Sequence, residues 1–158
     1  MATSRIHLLA FSACALLLGS LLAACGTSAP LDSPPAADEL RVNVTRFNTV
    51  ASPPASAVVF LTTTTDPSTI RAVQADLQDI PLIKPNESLN CSTNGPVYYS
   101  YTLTFSSNGV VVEQAAAQAP ACPIWTITTS RGSAHRFEVS TQFWTRLRQE
   151  TGAPLPQP

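Results

Sequence analysis

Charged residues and glycine are both scarce in this chain. Only 12% of its 158 residues are charged, about half the share that is usual in soluble domains, and the formal net charge is −1. A basic surface of the kind that binds nucleic acid is therefore not expected. The six glycines form none of the loops that hold phosphate, dinucleotides or calcium. We predict no nucleic-acid partner and no cofactor.

Histidine is equally rare, which limits the catalytic and metal chemistry that we expect. Beyond the first ten residues, His135 is the only histidine in the sequence. It shows neither a Gly-x-Ser-x-Gly nucleophile motif nor the cysteine and histidine spacing of a zinc site. We interpret His135 as an exposed residue on a turn between strands, and predict no catalytic residue and no metal site. A small hydrolase that uses His135 with a nearby hydroxyl is the alternative.

The N-terminal segment has the pattern of an export signal. Arg5 supplies a positive charge, and residues 8–22 are an uncharged, mainly apolar run. A run of this length is too short to cross a membrane, which needs about 20 residues, and it fits the core of a signal peptide. It ends on Leu22-Ala23-Ala24-Cys25, which resembles the lipobox of bacterial lipoproteins: an aliphatic residue, two small residues and a cysteine.

The lipobox resemblance implies that residues 1–24 are removed on export and that Cys25 carries a diacylglycerol. Two or three acyl chains would anchor the protein stably on the extracytoplasmic side of a cell membrane, because one chain alone binds only marginally and reversibly. The alternative is an ordinary secretory peptide whose cleavage leaves the Cys25 thiol free.

Cys91 and Cys122 are the cysteines that remain in the body of the protein. An even pair in an exported, oxidising compartment favours a disulfide. Closing a loop of about 31 residues would stabilise the fold by about 3.7 kcal/mol in the chain-entropy model. The alternative is two separate buried thiols.

Composition divides the chain after Cys25 into three parts. Residues 25–39 contain prolines among small and acidic residues, which predicts a flexible tether between the lipid and the domain. Residues 40–151 are predicted to form a single domain. Residues 152–158 are predicted to be a disordered tail.

Alternating and helical patterns within residues 40–151 predict an α+β fold. Asp66 and Pro67 have the form of a helix start. Apolar residues follow at helical spacing until Pro81, and Gln74 is predicted to face away from them. The predicted order is β-β-α-β-β-β-β-α, a small antiparallel sheet of about five to six strands packed against two short helices. The strands are predicted at 40–44, 57–64, 97–105, 110–118, 124–129 and 136–139, and the second helix after residue 140 or 141.

The aromatic residues are the candidates for a core and for a binding surface. Trp125 and Trp144 are predicted to pack in the core. Tyr98 alternates with the apolar residues of its strand and is predicted to lie on the opposite face. There it is a candidate contact for a sugar or a peptide.

The body of the chain also resembles uncharacterised domains of exported bacterial lipoproteins. These share a helix that ends in a proline, a cysteine, a Tyr-x-Leu-x-Phe strand, a second cysteine and a terminal Phe-Trp helix. The matching residues here are Pro81, Cys91, Tyr101, Leu103, Phe105, Cys122, Phe143 and Trp144. The resemblance implies no known activity.

These observations favour a non-enzymatic binding or interaction module displayed at a membrane through Cys25. The expected partner is an envelope protein or a glycan. Besides the hydrolase, a purely structural role in envelope assembly is an alternative.

Overall fold

The computed structural model describes residues 33–84, 95–120, 124–137 and 141–156. These residues form six strands and two helices in the predicted order, and the α+β class is confirmed. The strands are β1 (Glu39–Asn48), β2 (Ala55–Thr64), β3 (Val97–Ser107), β4 (Val110–Ala119), β5 (Ile124–Thr129) and β6 (Gly132–Phe137). The helices are α1 (Pro67–Asp79) and α2 (Gln142–Thr151). The last strand was predicted over residues 136–139, but β6 begins directly after the turn at Arg131.

The strands form one antiparallel sheet in the order β2-β1-β3-β4-β5-β6. Strand β1 lies between β2 and β3 and is antiparallel to both, so β2 and β3 run in the same direction. Helix α1 connects these two strands and therefore crosses from one side of β1 to the other. The remaining strands, β3 to β6, follow one another as a simple meander.

The core lies between one face of the sheet and the two helices. Along most of β1, β3, β4 and β5, every second residue is buried on that face, as the alternating pattern requires. Strand β4 contributes Ala115, Ala117 and Ala119 there, and these small side chains leave room for large aromatic ones. Trp125 and Trp144 are both buried, with ring centroids 5.4 Å apart. The prediction that both tryptophans belong to the core is confirmed.

Helix α1 begins and ends where its sequence predicts. The Asp66 side chain accepts a hydrogen bond of 2.9 Å from the backbone N–H of Thr69, which satisfies one of the free donors of the first turn. Hydrogen bonds from the Ser68 hydroxyl, and from the backbone N–H and hydroxyl of Thr69, hold the pKa of the Asp66 carboxyl well below its usual range. Ile70, Val73 and Leu77 are buried.

One prediction for α1 is wrong. Gln74 was expected to face away from the core, but it is only 4% exposed. Its side chain donates to the carboxylate of Glu113 on β4, at 3.3 Å. A polar residue beside the apolar stripe can be buried when a strand below it offers a partner, and the helix sequence does not contain that information.

Helix α2 buries Phe143, Trp144 and Leu147. Gly152 ends it in the left-handed conformation, at φ 79°. Beyond Gly152, Ala153 is 1% exposed and the Pro154 carbonyl accepts a hydrogen bond from the Tyr101 hydroxyl at 2.9 Å. The first residues of the segment predicted to be a disordered tail therefore pack against the core.

The end of the predicted tether is also bound to the domain. The backbone N–H of Asp38 donates to the Ser106 carbonyl at 2.9 Å. The Gln74 side chain donates to the Pro35 carbonyl at 3.1 Å. The stretch that can act as a tether is therefore shorter than residues 25–39.

The lipobox with Cys25, and both Cys91 and Cys122, lie outside the described residues. Lipid attachment and the disulfide therefore stay predictions. No helix in the described part of the chain has the length and apolar character that a membrane crossing requires.

Candidate binding surface

The sheet has a second face, which neither helix covers. Strand residues that alternate with the core residues point to this side. We call it the helix-free face. Because the six strands are paired in register, its side chains form rows that run across the strands.

The central rows of the helix-free face are polar and almost uncharged. The first row contains Thr63, Arg41, Thr104, Gln114, Thr128 and Ser133. The second row contains Leu61, Asn43, Thr102, Ala116, Thr126 and His135. In these two rows of described residues, Arg41 is the only side chain with a permanent charge. The rows therefore offer hydroxyl groups and the exposed Gln114 amide to a partner, whereas the Asn43 Oδ1 atom is buried.

Tyr98 lies at one end of this face. It is paired with Phe47 of β1, and the two rings stack with centroids 4.9 Å apart and an angle of 9° between their planes. Both side chains are half-buried. The sequence pattern assigned Tyr98 to the face opposite the core, and the structure places it there. The stacking on Phe47 was not foreseen, because the pairing of β1 with β3 depends on the strand order.

His135 is exposed, but it lies within β6 rather than on a turn. Its Nδ1 atom is 3.1 Å from the Thr126 hydroxyl of β5. No carboxylate among the described residues forms a hydrogen bond with the imidazole. Glu138, the acid nearest to it in sequence, lies outside the described residues. The described residues provide a histidine and a hydroxyl, and none of them supplies the third group that orients the ring in a catalytic triad.

A buried polar cluster on the other face of the sheet was missed by the sequence analysis. Glu113 of β4 is 1% exposed. One of its oxygens accepts the bond from Gln74, and the other has no hydrogen-bond partner in the described residues. Burial raises the pKa of the Glu113 carboxyl, while Gln74 and the nearby Arg136 oppose the rise. The sequence pattern could have predicted this burial, because Glu113 occupies an inward position in the strand alternation that continues through Ala115.

Arg136 of β6 is the third member of this cluster. It is 7% exposed, and its guanidinium donates to the carbonyls of Gln78 and Ile80 at 2.6 and 2.5 Å. A third bond of 2.7 Å goes to the Gln78 side-chain oxygen. Arg136 thus binds the C-terminal end of α1. The cluster thus connects helix α1 to strands β4 and β6.

Metal binding and similarity to known proteins add no further assignment. Within the described ranges, no three residues of the His, Cys, Asp and Glu types are grouped as a metal site requires. No protein-family model, curated protein or solved structure matches the chain.

Proposed function

We propose that the protein is an exported, lipid-anchored envelope protein that acts as a non-enzymatic interaction module and binds a partner protein on its helix-free face. The observation that carries the proposal is the face itself. Six strands present rows of hydroxyl and amide side chains there, with the stacked pair Phe47 and Tyr98 at one end. The helices and the core leave this face uncovered.

The composition of the face supports a protein partner. Protein interfaces are enriched in aromatic residues and arginine, and depleted in lysine, glutamate and aspartate. The helix-free face has Tyr98 and Arg41, and its two central rows have no acid and no lysine. Small ligands prefer concave pockets, whereas a broad strand surface offers contact area to another protein.

The location is supported by the N-terminal sequence. Leu22-Ala23-Ala24-Cys25 follows an apolar run that has the length of a signal-peptide core. A lipid on Cys25 would keep the domain at the membrane surface. Within the predicted tether of residues 25–39, the Ser33 carbonyl already accepts a hydrogen bond from Arg131 of the domain, at 3.0 Å.

Site-specific photocrosslinking tests the binding face. Benzoylphenylalanine replaces Thr128 or Ser133, which are exposed on the helix-free face, and replaces Glu150 on α2 as the matched control on the opposite side. We expect adducts of defined mass from the two face positions and none from Glu150. Adducts that form only at Glu150, or at none of these positions, would refute the assignment. Adducts that disappear on treatment with a glycan hydrolase would identify a glycan in place of a protein.

The lipid anchor is tested independently on protein extracted from its native membrane. The intact mass should lack residues 1–24 and include acyl chains. The Cys25→Ala variant should lose both the cleavage and the added mass. If acyl mass persists in that variant, the lipobox argument is incorrect, whatever the outcome of the crosslinking.

A hydrolase that uses His135 is a second candidate, and its support is the 3.1 Å contact between His135 and Thr126. We expect His135→Ala to leave the protein folded, because the side chain is exposed. Any hydrolytic activity of the purified protein should then disappear. Activity that is unchanged in His135→Ala would remove this candidate.

A further inference from the structure

The two edges of the sheet differ in how they are covered. At the β6 edge, the chain that follows α1 supplies a partner. The backbone N–H of Ile83 donates to the His135 carbonyl, and that of Phe137 donates to the Pro81 carbonyl, both at 3.0 Å. At the other edge, β2 bonds to β1 on its inner side, and its outer side has no backbone partner among the described residues.

Strand β2 lacks most features that usually protect an edge. Natural edge strands are short or carry lysine, proline or inward charges that prevent pairing with another chain. The ten residues of β2, ASAVVFLTTT, include no charge and no proline. A single bulge opposite Val44 and Thr45 is the only irregularity. Val58, Val59 and Leu61 are 58%, 47% and 52% exposed.

We infer that the outer edge of β2 pairs antiparallel with β2 of a second copy of this chain. The occupant of a sheet edge must offer extended backbone, and here also an uncharged sequence. Strand β2 meets both conditions. Antiparallel self-pairing around a twofold axis near Val59 and Phe60 sets the small residues 55–57 against the threonines 62–64. No like charges meet in either half.

The contact area indicates a weak dimer. An edge about 33 Å long and about 10 Å thick provides about 330 Å² per copy, less than half of the roughly 800 Å² per partner of a standard interface. The dissociation constant should therefore lie above about 1 µM. The inference concerns the backbone edge of β2, which borders the helix-free face at Leu61 and Thr63, and it does not depend on lipid attachment.

Cysteine crosslinking of protein purified from cells that express the full chain tests the pairing. A cysteine at Val59 lies near the proposed axis and should form a disulfide-linked dimer on oxidation at about 0.5 mM protein, well above the expected dissociation constant. The matched control is Val110→Cys, which is 66% exposed at the β3–β4 turn. It reports random collision and should crosslink much less. Equal crosslinking of the two variants, or a monomer from both, would overturn the inference.

A charged edge provides the second measurement. Added to Val59→Cys, Val58→Lys should lower the crosslinked fraction roughly fivefold, because like charges then meet across the twofold axis. Val111→Lys is the control, since Val111 is equally exposed, at 57%, but lies away from β2. Circular dichroism verifies that both variants fold. An unchanged crosslinked fraction with Val58→Lys would refute pairing at this edge, and a crosslink to a chain of another mass would identify a different occupant.

Discussion

Replacement of Arg136 by methionine should destabilise the fold more than any exposed substitution. The last turn of α1 contains no basic residue, and Pro81 follows directly, so a side chain from β6 satisfies the terminal carbonyls. Arg136→Met removes three hydrogen bonds of 2.5 to 2.7 Å. It also removes a positive charge that lowers the pKa of the Glu113 carboxyl and so counteracts the effect of burial.

The magnitude follows from what the substitution leaves behind. Carbonyls of Gln78 and Ile80 lose a charged donor, and the carboxylate of Glu113 stays buried with Gln74 as its one donor. A hydrogen bond to a charged group contributes about 1.5–3 kcal/mol, so two carbonyls that lose the guanidinium together cost about 3–5 kcal/mol. That is a large part of the roughly 5–15 kcal/mol by which a domain is stable. We therefore expect a clearly lower midpoint of urea unfolding.

Urea unfolding followed by tryptophan fluorescence measures this loss, because Trp125 and Trp144 are both buried in the core. Arg46→Met is the matched control at an exposed strand position and should change the free energy of unfolding by less than about 0.5 kcal/mol. A loss below about 1 kcal/mol for Arg136→Met would refute the reasoning. The double variant with Glu113→Gln should lose less than the sum of the single variants, because the buried charge is then absent.

Further predictions concern four other features. Since burial raises the pKa of Glu113, the folded state binds its proton more tightly than the unfolded state. The stability that the folded state gains from this proton is complete below the usual pKa of a glutamate, near 4.3, and falls as the pH rises through the pKa of Glu113 in the folded state. In urea unfolding measured over a pH series, Glu113→Gln should therefore flatten this pH dependence. Tyr101→Phe removes the hydroxyl bond to the C-terminal segment and should cost about 1 kcal/mol in the same assay. Gly152→Ala should cost about 1–2 kcal/mol, because φ is 79° there while the space for a methyl group is sufficient. Alkylation without reductant should leave Cys91 and Cys122 unmodified, and two modified thiols would remove the predicted disulfide.

Elements with local signals were predictable from the sequence. Asp66 and Pro67 define the start of α1, and its first-turn bonds are made within three residues of Asp66. The Asn108-Gly109 pair predicts the hairpin, and both residues have positive φ. Such features depend on neighbours in the chain, so the sequence contains the required information.

Features that depend on strand order were not predictable. The insertion of β1 between β2 and β3 brings Phe47 beside Tyr98, and neither residue indicates the other in the sequence. The same holds for Gln74, whose partner Glu113 is 39 residues away. The sequence therefore predicted one residue of the candidate surface, Tyr98. The rows of side chains could be defined only from the pairing of the strands.

The buried polar cluster also explains how β4 holds its register. Its inward positions Ala115, Ala117 and Ala119 are identical, so a shift of two residues along β3 would exchange alanine for alanine and change the packing little. Glu113 breaks this equivalence, because in a shifted register its carboxylate would lie away from Gln74 and Arg136. A buried carboxyl group without a hydrogen-bond partner is unfavourable in its charged and in its neutral form, so slipped arrangements are penalised more than the native one. The cluster thus stabilises one register of β4, and with it the alignment of Gln114 and Ala116 in the rows of the helix-free face.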